Sequence, residues 1–184
     1  MKSKKLSEKE IYKRASKIKL LLTDVDGVLT DTGVYYSANG EELKRFSIRD
    51  GMGVERLRTI VDVETGIVTR ENTNIVSTRA KKLKIEELHL GVIEKENILD
   101  EILERKKLKS SEVAFIGDDT NDIGIIKKVG LSACPNDAMQ HVKKICDIIL
   151  DNKGGNGAFR EFAELIIESK LKKNNKKGKN ESKS

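Results

Sequence analysis

The 184 residues are 37% hydrophobic and 36% charged, which is typical of one soluble domain with a modest core and a heavily charged surface. No apolar run approaches the roughly 18 residues of a membrane-spanning helix, and the Lys-rich start lacks the apolar stretch of a secretory signal. We therefore expect a cytoplasmic protein with no membrane partner. The two cysteines, Cys134 and Cys146, have no metal-ligand spacing and are predicted to be buried thiols rather than zinc ligands.

The net charge of +6 is concentrated at the two ends of the chain. Residues 1–20 and residues 170–184 carry +6 each, which leaves −6 on residues 21–169. We therefore expect a basic, partly helical extension over 1–18 and a disordered Lys-rich tail over 170–184, both of them solubilising. Attraction of RNA or of an anionic surface is the alternative, but nucleic acid is an unlikely partner because the body of the protein is acidic.

Between these ends, short β-branched strands alternate with amphipathic helices. Strands are predicted at 20–23, 66–69, 113–116, 131–133 and 148–150. Helices are predicted at 51–60, 72–83, 95–106, 121–128, 138–144 and 157–168. The alternation indicates a parallel sheet covered on both faces, and therefore a doubly wound, Rossmann-like α/β domain over 19–169.

One segment breaks the alternation directly after the first strand. Within residues 33–46, the pair Asn39-Gly40 separates two runs of alternating apolar and polar residues, which predicts a β-hairpin. A hairpin at this point projects from the strand ends where open α/β sheets bind ligands, so it would serve as a flap or as an oligomer contact. An ordinary edge hairpin is the alternative.

Two acidic clusters each follow a predicted strand. Asp24 and Asp26 come after the first strand, and the sequence Gly-Asp-Asp-Thr-Asn-Asp occupies 117–122 after the strand at 113–116. Neighbouring parallel strands would bring both clusters to one edge of the sheet, where close like charges need a cation. A hard ion such as Mg²⁺ would neutralise them together with a phosphate. Helix capping explains either cluster alone, but not the pair.

These residues resemble the motifs of the haloacid dehalogenase superfamily. Its Asp-x-Asp-Gly-Val and Gly-Asp-Asp-x-x-Asp motifs match 24–28 and 117–122, with Thr69 after a strand and Lys95 at the start of a helix in order between them. The resemblance implies a phosphatase in which Asp24 attacks phosphorus and becomes an aspartyl-phosphate. It also implies that Asp26 protonates the leaving oxygen and later activates water, while Thr69 and Lys95 hold the phosphoryl oxygens.

The same resemblance implies a Mg²⁺ site and an open active site. The implied ligands are the carboxylates of Asp24 and Asp118 and the main-chain carbonyl of Asp26, with Asp119 and Asp122 as candidates that act through water or the second coordination sphere. The spacing between the motifs leaves no room for the cap domain that many members carry. We therefore expect a neighbouring subunit to close the site.

Similarity beyond the motifs extends over about residues 20–168. The Tyr-Tyr hairpin and the segments 46–53, 79–83 and 154–162 resemble the capless 3-deoxy-D-manno-octulosonate 8-phosphate phosphatases. This resemblance implies a sugar-acid phosphate substrate and a homotetramer whose hairpins meet at its centre. It further implies that a mobile Gly-rich segment over 154–157 covers each site; a plain loop before a helix is the alternative for these glycines.

The positions expected to select the substrate depart from that family in part. Five side chains are predicted to bind the substrate beyond its phosphate: Arg49, Arg70, Glu71, Arg79 and Lys82. Glu71, Arg79 and Lys82 are similar to the branch that acts on 2-keto-3-deoxy-nonulosonate or N-acylneuraminate 9-phosphate, whereas Arg49 is similar to the octulosonate group. Arg70 matches neither and would bind the substrate carboxylate or face solvent. Both substrates are 2-keto-3-deoxy sugar acids with a terminal phosphate, so the reaction is shared.

A catalytically retired domain that serves as an oligomeric scaffold is the competing interpretation of the same fold. The four motifs argue against it, because each keeps the residue that carries chemistry: Asp24 and Asp26, Thr69, Lys95, and Asp118. A retired site would have no need to keep these groups together.

Overall fold

Eight strands and seven helices make up the computed structural model, which describes the backbone of residues 6–181 and the side chains of residues 6–175. The strands are β1 (Leu20–Thr23), β2 (Thr30–Ser37), β3 (Gly40–Phe46), β4 (Glu64–Val68), β5 (Glu87–His89), β6 (Val113–Ile116), β7 (Leu131–Cys134) and β8 (Ile148–Ile149). The helices are α1 (Glu8–Ala15), α2 (Ile48–Val61), α3 (Asn74–Leu83), α4 (Lys95–Lys106), α5 (Ile123–Ile126), α6 (Gln140–Lys143) and α7 (Ala158–Glu181).

Six of the strands form one parallel sheet in the order β5-β4-β1-β6-β7-β8. The central strands β1 and β6 are buried at every residue, which explains their unbroken apolar sequences. One apolar cluster, containing Leu57, Phe159 and Phe162, covers one face, and a second, containing Leu99 and Phe115, covers the other. The doubly wound α/β prediction is confirmed.

The edge strand β5 was not predicted from the sequence, because it has three residues and only Leu88 among them is apolar. Glu87 is nevertheless buried, with 5% of its surface exposed. Its carboxylate lies 3.0 Å from the Lys106 ammonium and also accepts a hydrogen bond from Arg105. In the sequence, such a buried glutamate cannot be distinguished from a surface residue. The run of apolar residues that would predict a buried strand is therefore missing.

The basic N-terminal end is helical over Glu8–Ala15 and packs on the domain, whereas residues 171–175 of the basic C-terminal end are exposed. Ala15 and Ile18 are fully buried in the core, and the Lys172 ammonium lies 4.3 Å from the centre of the Tyr12 ring. Helix α7 continues to Glu181, through much of the segment predicted to be disordered, because that segment contains no proline and mostly good helix formers. Residues 1–5 and 182–184 lie outside the described residues.

The predicted hairpin is present as β2 and β3, which pair antiparallel in a separate two-stranded sheet. Gly40 in its turn has a φ of +107°, which favours glycine. Within residues 6–181, the hairpin and α2 fill the connection between β1 and β4, and no cap domain is inserted. Over the same residues, no helix combines the length and the apolar character needed to cross a membrane.

Candidate active site

An open cleft of about 530 Å³ lies at the carboxyl edge of the sheet, where β1, β4 and β6 end. Its lining residues are Asp24, Asp26, Thr32, Thr69, Arg70, Glu71, Asp118, Asp119 and Asn121. A somewhat larger cavity of about 640 Å³ lies at the opposite edge, beside Lys19 and Glu64, but it contains none of the motif residues. The chemistry therefore points to the carboxyl edge.

Asp24 and Lys95 form a buried pair at the floor of this cleft. The Asp24 carboxylate accepts a hydrogen bond from the Val25 backbone N–H through Oδ1 (2.7 Å), and its Oδ2 lies 2.7 Å from the Lys95 ammonium. Lys95 is fully buried and also lies 2.6 Å from Asp122 Oδ1. Burial alone would lower the pKa of Lys95, but the two carboxylates outweigh it and raise that pKa. The site therefore holds a permanent positive charge beside Asp24.

Three carboxylates in the site fit a divalent cation. Asp24, Asp118 and Asp122 each offer an oxygen within 4.8 Å of the others. Burial, together with the Asp122 and Asp24 carboxylates, raises the pKa of Asp118 to about 8. Carboxylates that repel one another this strongly are suited to a hard cation such as Mg²⁺, which would displace the proton from Asp118.

The raised pKa of Asp118 predicts how stability depends on pH. Because the folded state binds this proton more tightly than the unfolded state, the metal-free protein should lose stability as the pH rises toward about 8. Mg²⁺ should therefore raise the melting temperature more at pH 8.5 than at pH 6. At 100 times its Kd the ion should add about 5–10 °C at the higher pH.

Thermal unfolding at both pH values, with EDTA or with Mg²⁺, measures this effect. Asp118→Asn removes the carboxylate and should abolish the difference between the two pH values. An equal Mg²⁺ effect at both pH values in the unaltered protein would contradict the prediction.

Asp122 and Asp119 have different places, although they belong to the same motif. Asp122 is fully buried, and its Oδ2 accepts hydrogen bonds from the backbone N–H groups of Asp118 (2.8 Å) and Asp119 (3.3 Å). Asp119 is half exposed, and its Oδ1 caps the 3-10 turn over Thr120–Asp122 by accepting from the Thr120 N–H at 2.6 Å. Among the described residues, Asp119 lies outside the group of three carboxylates.

Asp26 is held by two hydrogen-bond donors of the hairpin. Its Oδ1 accepts from the Thr30 hydroxyl (3.0 Å), and its Oδ2 lies 2.6 Å from the ammonium of Lys44. The Asp26 side chain is 30% exposed and lines the cleft. Lys44 was not predicted to belong to the site, because a lysine in a charged hairpin resembles a solvent-facing residue. The alternation of apolar and polar residues in β3 was the signal that could have placed it on the inner face.

Thr69, predicted to bind a phosphoryl oxygen, lies directly after the end of β4. Thr69 is buried, lines the cleft and accepts a hydrogen bond from the Glu71 N–H at its hydroxyl (3.2 Å). That bond fixes the turn which carries the next two residues past the mouth of the cleft. Because β1 lies between β4 and β6 in the sheet, Thr69 lies across the cleft from Asp118.

Two of the five predicted substrate-binding residues, Arg70 and Glu71, line the cleft. Arg79 instead donates to the carbonyl of Ser47 (2.8 Å), and it lines a separate cavity beside the hairpin together with Lys82. Arg49 lies at the start of α2 and does not line the cleft. Within the described chain, these three residues are not brought together with Arg70 and Glu71.

The Gly-rich segment over 154–157 packs against the loop that follows β1 and contains Asp24 and Asp26. The Gly155 N–H donates to the carbonyl of Val28 (2.9 Å), and a Cβ on Gly154 would lie 2.0 Å from the carbonyl oxygen of Gly27. Arg45 of the hairpin donates to the Asn156 side chain (2.9 Å). In this structure the segment supports the loop and leads into α7, which corresponds to the alternative of a loop before a helix.

Comparison with known proteins gives matches over most of the chain. A family model for haloacid dehalogenase-like hydrolases matches residues 34–162. The 3-deoxy-D-manno-octulosonate 8-phosphate phosphatase of Haemophilus influenzae is 35% identical over 162 residues, which cover 88% of this chain and 89% of the relative. The enzyme of the same name from Escherichia coli K12 is 36% identical over 169 residues, covering 92% and 89%.

Solved structures give the same result. The Moraxella catarrhalis 3-deoxy-D-manno-octulosonate 8-phosphate phosphatase, in complex with magnesium, phosphate and a KDO molecule, has a TM-score of 0.86 at 32% identity and covers 90% of this chain and 94% of its own. The cobalt-bound Haemophilus influenzae phosphatase has a TM-score of 0.82 at 35% identity, covering 85% and 91%. The family that the motifs indicated is therefore confirmed, and this chain belongs to the haloacid dehalogenase-like hydrolases.

Proposed function

We propose that this protein is a magnesium-dependent phosphatase that hydrolyses the terminal phosphate of a 2-keto-3-deoxy sugar acid, with 3-deoxy-D-manno-octulosonate 8-phosphate as the favoured substrate. The observation that carries the proposal is the group of Asp24, Asp118 and Asp122 at the carboxyl edge of the sheet, with the Lys95 ammonium bound to Asp24 and Asp122. The relatives that are 35–36% identical over most of the chain carry the name of this activity and favour the eight-carbon substrate.

The geometry supports an attack by Asp24. One of its carboxylate oxygens forms a bond to phosphorus while the bond from phosphorus to the terminal sugar oxygen breaks, and Asp26 gives a proton to that oxygen. Asp26 then takes a proton from a water molecule, which attacks the aspartyl-phosphate and releases phosphate and free Asp24. Lys95 and Thr69 bind the phosphoryl oxygens throughout.

The metal would be held by Asp24, Asp118 and the main-chain carbonyl of Asp26, with Asp122 behind them. When bound, Mg²⁺ supplies positive charge that offsets the negative charge of the phosphate and of the carboxylates. Asp122 donates no proton in this scheme. It keeps the Lys95 ammonium and the backbone of Asp118 in place.

Rates on two substrates, measured side by side, test the proposal. We expect Mg²⁺-dependent release of phosphate from octulosonate 8-phosphate with a kcat/KM at least about tenfold above that for N-acylneuraminate 9-phosphate. A preference for the nine-carbon substrate would favour the second candidate function, a nonulosonate or N-acylneuraminate 9-phosphate phosphatase, which rests on Glu71 in the cleft. No release from either substrate would contradict both and favour a retired scaffold.

The proposal includes a homotetramer in which a neighbour closes each cleft. Tyr35, Tyr36 and Leu43 on the hairpin are each more than 60% exposed, which is unusual for apolar residues so close together. Arg79 and Lys82 lie beside the hairpin, away from the cleft of their own chain, and would line the cleft of a neighbouring one. Light scattering of the purified protein tests the assembly, and a monomer would contradict it.

A cytoplasmic location is also part of the proposal. Cys134 and Cys146 are both buried and free, as predicted, and unpaired thiols are typical of a reducing compartment.

A further inference from the structure

We infer that Lys44, on the hairpin, is the positioning residue that orients Asp26 for proton transfer to the leaving sugar oxygen. The inference rests on the proposed function, because it concerns the same cleft and the same reaction. It adds a residue outside the sheet to the catalytic machinery.

The surroundings of Lys44 are unusual for a lysine on a two-stranded hairpin. Only 1% of its side chain is exposed, whereas its neighbour Leu43 is 62% exposed. The ammonium lies 2.6 Å from Asp26 Oδ2, 3.4 Å from Glu71 Oε2 and 3.5 Å from Glu41 Oε1. One buried cation thus serves three carboxylates, and two of these line the cleft.

Asp26 gains a single orientation from this contact. Thr30 binds one carboxylate oxygen and Lys44 binds the other, so both ends of the group are fixed. The carboxylate of Asp24 makes no use of these donors, because it is bound by Val25 and Lys95. The nucleophile is therefore held by the loop after β1 and by the start of α4, and the proton donor by the hairpin.

This division predicts which step fails when Lys44 is lost. A sugar alkoxide is a poor leaving group and needs the proton of Asp26, whereas p-nitrophenolate leaves without one. A positioned general acid contributes about 10²–10⁴-fold to the rate. Disorder in Asp26 should therefore slow phosphoryl transfer from the sugar phosphate and spare transfer from p-nitrophenyl phosphate, while general damage to the site should slow both equally. Hydrolysis of the aspartyl-phosphate, in which Asp26 takes a proton from water, is common to both substrates and comes after the step that kcat/KM reports.

The experiment compares kcat/KM on the two substrates for Lys44→Met, because kcat also contains the shared hydrolysis of the aspartyl-phosphate. We expect about a 100-fold loss on octulosonate 8-phosphate and less than about a threefold loss on p-nitrophenyl phosphate. Lys44→Arg keeps the charge and should restore part of the lost rate. Arg45→Met is the matched control, because it removes the adjacent cation of the hairpin, which pairs with Asp31 rather than Asp26, and it should leave the ratio of the two rates unchanged.

Three results would overturn the inference: an unchanged rate on the sugar phosphate, a parallel loss on both substrates, or the same change of ratio in Arg45→Met. Thermal unfolding shows whether the variants fold. If Lys44→Met does not, Lys44→Arg alone carries the test, with a loss of about tenfold confined to the sugar phosphate. Failure of the unaltered protein to cleave either substrate would instead contradict the proposed function.

Discussion

Asp24→Asn should abolish phosphate release, with a loss in kcat of about 10⁴-fold or more. The amide has the same shape as the carboxylate, and its oxygen would still accept the hydrogen bond from the Val25 N–H. It cannot, however, form the bond to phosphorus. Because the change relieves repulsion among the three clustered carboxylates, and Lys95 keeps Asp122 as its partner at 2.6 Å, the metal-free variant should unfold close to the temperature of the unaltered protein.

Release of inorganic phosphate with saturating Mg²⁺, together with a thermal unfolding curve, measures both effects. Asp100→Asn is the matched control, since Asp100 is an exposed residue of α4 whose partner is Lys128. It should leave both quantities unchanged. Full activity in Asp24→Asn would remove the nucleophile from the scheme and with it the proposed mechanism.

Lys95→Met should lower both activity and stability. The ammonium is fully buried and lies within 2.7 Å of two carboxylates, so its removal leaves Asp24 and Asp122 close together without a cation. Breaking a buried pair of this kind costs about 3–5 kcal/mol of unfolding free energy. We also expect about a 10³-fold loss in kcat, because the phosphoryl oxygens lose their fixed positive charge.

Urea unfolding with and without Mg²⁺ separates the two effects. The bound ion should return part of the lost stability, since it supplies charge to the same carboxylates, but it should not return the rate. Lys128→Met makes the same substitution at an exposed pair and should cost less than about 1 kcal/mol. A Lys95→Met protein with unchanged kcat would show that the ammonium does not serve the reaction.

The sequence was sufficient to predict the residues that follow strands. Asp24, Thr69 and Asp118 each come directly after a buried run, and a parallel sheet leaves such residues no other place than its carboxyl edge. The predicted position of these residues therefore depended on topology rather than on the length of any element. It was not affected by the differences of a few residues between the predicted and observed ends of α5 and α6.

Contacts across the hairpin could not be predicted in this way. The pairing of β2 with β3 shifts register between Thr30 and Val34 and again between Tyr35 and Tyr36. Which side chains of the hairpin face the cleft therefore cannot be derived by counting residues. The burial of the Lys44 side chain depends on that register. Packing of the N-terminal basic end could not be predicted for another reason: charge dominates its composition, while a few residues such as Ala15 and Ile18 anchor it in the core.

The alternation of β3 gives its turn an unusual sensitivity to length. Leu43 points outward and Lys44 inward on adjacent residues, so inserting or deleting one residue between the turn and Lys44 would exchange the two faces. Such a change would place an apolar side chain against Asp26 and a lysine among the exposed tyrosines in a single step. A change of one residue in this loop should therefore be tolerated only where a further bulge absorbs it, as the two register shifts of this hairpin do now.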